Sequence, residues 1–119
     1  MTVLDTNVLI LLATGKLATQ LPPQTYLVSV ISKIEMLAFP RITAQEERAL
    51  LDLIQDLTIV GLDDDVVAQA IQLKRATSLR LPDAIIAATA IVAQAELMTM
   101  DKGFLNVPGL RVTPAISIL

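Results

Sequence analysis

The sequence predicts one α/β domain over residues 1–119, a central parallel sheet of about five strands flanked by helices on both faces. Three observations carry this reading. Short apolar runs alternate with longer stretches of helical periodicity. The short runs are continuously apolar instead of alternating with polar residues, the pattern of strands buried on both sides. Apolar residues make up 54% of the 119 and charged residues 18%, enough to fill a core at this length and too apolar for a disordered chain.

The elements follow in order. Thr2-Val3-Leu4 is a buried-strand run, and Asp5-Thr6 is a natural helix start. Asn7 to Thr14 reads as helix, with Gly15 where a terminating glycine belongs. Residues 16–24 form a loop around Pro22-Pro23, and Tyr26 to Val30 is a second strand. Ser32 is expected to cap a helix from Lys33 to about Phe39, stopped by Pro40. Thr43 and Glu46 fit a capping box, and the helix behind them carries Leu50, Leu51, Ile54 and Leu57 on one stripe. Thr58-Ile59-Val60 is a third strand. Asp63 opens a helix to about Leu79, with Val67, Ala70, Ile71 and Lys74 stepping along it. Leu81-Pro82-Asp83 starts another that runs to about Ala95, with proline and an acid in its first turn. Leu97 to Met100 and Leu110 to Thr113 complete the strands.

Composition removes several chemistries. The chain has no cysteine and no histidine. Disulfides, thiolate nucleophiles, Ser-His-Asp catalysis and His- or Cys-ligated zinc are excluded. Catalysis would have to use carboxylates, lysine, hydroxyls or a metal held by oxygen. The longest uncharged stretch, Leu17 to Ser32, is broken by Pro22-Pro23, and the next, Ala84 to Ala95, is too short to span a membrane. The N-terminus has no basic segment ahead of an apolar one. The expectation is a soluble, cytoplasmic protein without a membrane partner.

In a parallel α/β sheet, ligands gather outside the carboxyl ends of the strands. Asp5 stands at the end of the first strand and Asp101 just past the fourth. Glu35 is placed in the first turn of the helix after the second strand, and Asp83 in the first turn of the helix that feeds the fourth. Four carboxylates at one spot repel one another unless a cation neutralises them or some are protonated. Oxygen-only ligands select Mg²⁺ or Mn²⁺, and such an ion binds phosphate and activates water. Each residue also has an ordinary structural reading. Asp5 caps a helix, Glu35 faces solvent, Asp83 complements a helix dipole and Asp101 belongs to a turn. Asp63-Asp64-Asp65 reads as a cap and a solvated first turn.

The order of local contexts adds weight. Val3-Leu4-Asp5-Thr6-Asn7 resembles the opening motif of the PIN-domain family, and Ser29 to Glu35 its second. Leu81-Pro82-Asp83-Ala84-Ile85-Ile86-Ala87-Ala88-Thr89-Ala90 is very similar to the third, and Leu97 to Phe104 looks like the fourth. At this length the chain most resembles VapC-type toxin ribonucleases of toxin–antitoxin pairs. The resemblance implies a ribonuclease with one or two Mg²⁺ or Mn²⁺ ions among Asp5, Glu35, Asp83 and Asp101. It implies that Thr6, Asn7 and Thr99 hydrogen-bond the acids or the phosphate. It also implies an RNA substrate and a cognate antitoxin, and the surplus of apolar residues suggests a homodimer or antitoxin interface on exposed helices. Gly103 departs from the family pattern, which often has an acid just before the phenylalanine of the fourth motif.

The net charge of −3 counts against a nucleic-acid partner. The four carboxylates contribute −4, which leaves +1 for the rest of the chain. Lys33, Lys74, Arg75, Arg80 and Lys102 flank the motifs as candidate RNA contacts. Aromatic stacking has little to draw on beyond Tyr26, Phe39 and Phe104. The competing function is a non-catalytic PIN-like module that binds a protein partner. An aspartyl-phosphate enzyme fits poorly, because Thr6 and Asn7 stand where a second acid is required.

Overall fold

Neighbouring residues of the central strands point into different cores. In a computed structural model, which describes residues 1–117, β1 (Thr2–Leu4) pairs in parallel with β2 (Tyr26–Ser29) and β4 (Glu96–Thr99). Val3 is in register with both Leu27 and Leu97, and Leu4 with Met98. Val3, Leu27 and Leu97 enter one apolar cluster, while Leu4, Val28 and Met98 enter the other. The period-2 pleat sends successive side chains to opposite faces, and both faces are covered. That explains why the strands read as unbroken apolar runs.

Two edge strands complete the sheet: β3 (Thr58–Val60) beside β2 and β5 (Val112–Pro114) beside β4. The order is β3-β2-β1-β4-β5, all parallel. Helices α1 (Thr6–Ala13), α2 (Val30–Leu37) and α3 (Ala44–Gln55) supply Val8, Leu9, Met36, Leu50 and Ile54 to the first layer. Helices α4 (Asp64–Ala76) and α5 (Leu81–Ala93) supply the second, with Val66, Ala70, Leu73 and the buried run Ala84 to Ala88. A short 3₁₀ turn (Lys102–Phe104) plugs Phe104 into this layer between β4 and β5. Among the described residues no helix is long and apolar enough to cross a membrane.

Most helix starts follow side-chain chemistry. Asp5 accepts the Thr6 N–H, Asp63 accepts the Val66 N–H, and Thr43 with Glu46 forms the expected reciprocal box. Helix α1 ends before Gly15, whose φ of +71° favours glycine. The second helix corrects the sequence reading. Its cap is Ser29, which accepts the Ile31 N–H, and the helix begins at Val30 instead of Lys33. Either serine can cap on local chemistry; the strand's end decided between them, because β2 stops one residue early, at Ser29. Ser32 therefore lies inside the helix, and Glu35 in its second turn, not its first. The phase of α4 also differs. Val66, Ala70 and Leu73 face the core, whereas Val67 and Ile71 are exposed. Both stripes have helical spacing, and packing against α5 selects one. Leu51 is likewise exposed on α3, beside buried Leu50 and Ile54.

The phase of α4 predicts a stability contrast between neighbours. Leu73→Ala should lower unfolding free energy by about 2–5 kcal/mol, the range for a buried leucine truncation. Ile71→Ala should change it by less than about 1 kcal/mol. Urea unfolding of the two variants measures both, and a larger loss at Ile71 would reverse the assigned face.

Candidate active site

The chain fills the sheet from β1 outward to β2 and β3, then returns to place β4 on the other side of β1. Between β1 and β4 the winding reverses, and crevices at the carboxyl ends of parallel sheets open at such points. Asp5 follows β1 there and is 5% exposed. Its Oδ1 accepts the Thr6 N–H at 2.8 Å, and its Oδ2 accepts the Thr99 hydroxyl at 2.7 Å. One bond comes from its own helix and the other from the end of β4. The Thr99 oxygen in turn accepts the Asp101 N–H at 3.0 Å. Two acids from opposite ends of the chain are thus tied through one buried hydroxyl.

Asp101 caps the 3₁₀ turn, with Oδ1 accepting the Gly103 N–H at 2.8 Å. Gly103 is the residue that departs from the family pattern. A Cβ there would stand 3.1 Å from Asp101 Oδ1, tighter than ordinary contact. Glu35 reaches the site from α2, where its Oε1 accepts the Thr6 hydroxyl at 2.9 Å. Asp83 occupies the first turn of α5, half-buried, with Arg80 Nε 3.9 Å away. Asn7 is exposed at the start of α1.

The acids feel one another. Burial pushes the Asp5 carboxyl above its ordinary value. The Thr99 and Thr6 hydrogen bonds oppose that, and the charges of Asp101 and Glu35 add to it. Asp83 is also raised, first by burial; Arg80 offsets this, while Asp5 and Asp101 reinforce it. All four expected carboxylates therefore share one electrostatic neighbourhood. Among the described residues, however, no three acidic side chains converge into a ready-made metal cage. Asp101 is turned into its own cap and Glu35 toward Thr6. The donor set is all oxygen and anionic, which fits a hard divalent cation and no softer metal.

The basic residues divide. Lys74 Nζ donates to the Leu79 carbonyl at 2.8 Å, fastening the loop ahead of α5. Arg80 is largely exposed beside Asp83. Lys102 lines a small cleft of about 260 Å³ with Thr99, Met100, Asp101 and Leu105. Arg75 is exposed on α4, and Lys33 is half-buried on α2. Sequence reasoning missed Ser32, whose hydroxyl oxygen is 2.9 Å from Thr6 Oγ1. Its signal was present: a small polar residue in an apolar helix, three positions before Glu35.

Comparison with known proteins gives a consistent result. The family model described as PIN domain matches residues 2–110. No curated protein gives a significant match. Among solved structures, a toxin–antitoxin complex from Klebsiella pneumoniae has a chain 28% identical at a TM-score of 0.76, covering 95% of this chain and 96% of that one. VapBC2 from Rickettsia felis, bound to a DNA fragment from its promoter, is 18% identical at 0.79, with 97% and 98% covered. VapBC-1 from nontypeable Haemophilus influenzae is 20% identical at 0.75, with 95% and 96% covered.

The raised Asp5 carboxyl has a consequence for stability. A carboxylate harder to ionise when folded makes the native state bind protons more tightly than the unfolded chain. Its contribution is full below the ordinary value of 3.8 and is lost as pH rises through the folded value. At pH 7 the ionised group thus weighs against folding when no cation is bound. Asp5→Asn keeps an acceptor for the Thr6 N–H and removes the charge. In excess chelator its Tm should exceed that of the wild type at pH 7, with the gap closing toward pH 4. A lower Tm for the variant at pH 7 would mean that the charged hydrogen bonds outweigh burial.

Proposed function

The chain belongs to the PIN-domain family, and from that premise we propose that it is a metal-dependent endoribonuclease, the toxin of a toxin–antitoxin pair. The observation that carries the reading is the four-carboxylate neighbourhood at the strand-order reversal. A fold match alone would not select an activity. Such a concentration of negative charge in a chain without His or Cys fits hydrolysis assisted by an oxygen-held cation.

In this reading Asp5, Asp83 and Asp101 hold one or two Mg²⁺ or Mn²⁺ ions, and Glu35 holds metal or positions the attacking water. The bound cation supplies Lewis acidity toward the phosphodiester and lowers the pKa of water. The chain's own residues prepare the site. Thr6 N–H and Thr99 hold the two Asp5 oxygens, so this acid presents a fixed anionic face. Thr6 steadies Glu35 through its hydroxyl. Arg80, beside Asp83, and Lys102, beside Asp101, would supply phosphate contacts, with Lys33 and Arg75 as further candidates. Lys74 is the weakest of the five candidates, because it is engaged with the Leu79 backbone.

The partners follow the same reading. The structural relatives are toxin–antitoxin complexes, and this chain carries an apolar groove fit for an antitoxin segment. It holds about 410 Å³ between α1, the end of α2 and α3, lined by Ile10, Met36, Phe39, Ile42 and Leu50 among others. Phe39 and Ile10 are exposed there, a liability for a surface that stays uncovered. Exposed Val67, Ile71 and Val92 on α4 and α5 are the proposed homodimer face. The site of action is the cytoplasm, where the RNA is.

Purified protein should cut a mixed structured RNA pool with Mg²⁺ or Mn²⁺ and not with excess chelator. Asp83→Asn should lower the rate at least about 100-fold, the scale for losing one carboxylate of a metal site. Undiminished cleavage in chelator would sink the mechanism. A folded protein that neither cuts RNA nor takes up metal would instead be the non-catalytic binding module.

A further inference from the structure

Thr6 serves two acids at once. Its backbone N–H goes to Asp5, and its hydroxyl lies 2.9 Å from Glu35 Oε1. The same oxygen lies 2.9 Å from Ser32 Oγ. A threonine hydroxyl has one proton, and an ionised carboxylate can only accept. Both contacts are satisfied together when the Thr6 proton goes to Glu35 and Ser32 donates to Thr6. Ser32 is fully buried on the interior of α2, so its hydroxyl meets Thr6 from the packed side. Glu35 is exposed, on a long side chain that loses rotamer freedom when held.

We propose that Ser32 is a positioning residue for Glu35. Its buried hydroxyl occupies the acceptor side of Thr6 and thereby commits the Thr6 proton to the Glu35 carboxylate. Ser32 and Glu35 are three residues apart on one face of α2, and Thr6 at the start of α1 closes the triangle. The chain of hydroxyls carries order from the packed interior to an acid whose side-chain hydrogen bond, among the described residues, is to Thr6. Groups that orient metal-binding side chains from behind govern affinity and rate in this way. The role of Glu35 as a site acid rests on the nuclease reading; the ordering of its side chain does not.

The first readout needs neither metal nor RNA. In metal-free protein, ¹³C relaxation of the Glu35 side chain should show it ordered in the wild type, mobile in Ser32→Ala and ordered again in Ser32→Thr. The second is a Mn²⁺ titration of wild type, Ser32→Ala, Glu35→Ala and the double variant. Ser32→Ala should weaken Mn²⁺ roughly 10-fold, the low end for losing such a supporting group, with no further loss in the Glu35→Ala background. Where cleavage is measured, kcat should fall by a similar factor at unchanged KM. If Ser32→Ala does not fold, Ser32→Cys fills the same space with a poor donor and takes its place in both experiments. An unchanged Glu35 order parameter, or a Mn²⁺ loss that persists in full without Glu35, overturns the proposal. A wild type that binds no Mn²⁺ overturns the nuclease reading instead, and the relaxation result still decides the role of Ser32.

Discussion

Thr99 donates its hydroxyl to Asp5 across the two strands where the sheet reverses its winding, and the arrangement of the site depends on that bond. It joins residues 94 positions apart. Chain topology alone brings them together: β1 and β4 must be in register for Leu4 to sit beside Met98 and for Asp5 to emerge beside Thr99. The bond then reaches Asp101 through the same oxygen and, through the cap of α1, Thr6 and Glu35. A register slip of one residue would send Leu4 and Val3 to the wrong cores and turn Asp5 away. The apolar packing on both faces therefore fixes the acids as firmly as any contact they make.

Such a site opposes the stability of the fold that holds it. Two acids are pushed toward their neutral forms, first by burial and then by their neighbours. The surroundings answer with donors, not with counter-charges. Among the described residues Asp5 has two hydrogen bonds and no basic side chain paired with it, and Asp83 has Arg80, 3.9 Å away and largely in solvent, where an ion pair contributes little. A site neutralised by its own lysines and arginines would need no external cation. This one leaves its negative charge uncompensated, the condition under which a divalent ion is the natural partner.

Much of this was legible in the sequence because local chemistry and global packing agree. The capping box at Thr43, the cap at Asp63 and the proline start of α5 each have one sensible outcome. So do strands whose unbroken apolar runs demand cover on both faces. The misreadings came where two local answers were equally good. Ser29 and Ser32 can each cap α2, and only the end of β2 chooses. Two stripes on α4 have helical spacing, and only contact with α5 chooses. Asp5, Asp83 and Asp101 could be named from their positions after a strand or at a helix start, whereas Glu35 was placed in a first turn that the structure makes the second. Their repulsion at one spot could be anticipated from the parallel sheet, but which acid is buried and which neighbours act on it could not, because that depends on strand order, which no local pattern states. Ser32 gave a local signal, three positions before Glu35, but its partner, 26 residues away on another helix, could not be read locally.

The charge balance links the fold to its substrate class. A chain of net charge −3 repels a polyanion, and the repulsion is strongest where the four acids sit. Away from them the balance is slightly positive, and Arg80 and Lys102 stand next to the acids themselves. The protein's own surface thus offers a phosphate backbone a weak hold around a centre that rejects it. Only the sign of that centre has to change for rim and centre to act together. On the proposed nuclease reading, binding and hydrolysis depend on the same carboxylates. On that reading the chain cannot trade its acids for lysines to gain affinity without losing the chemistry, which would account for its net charge of −3.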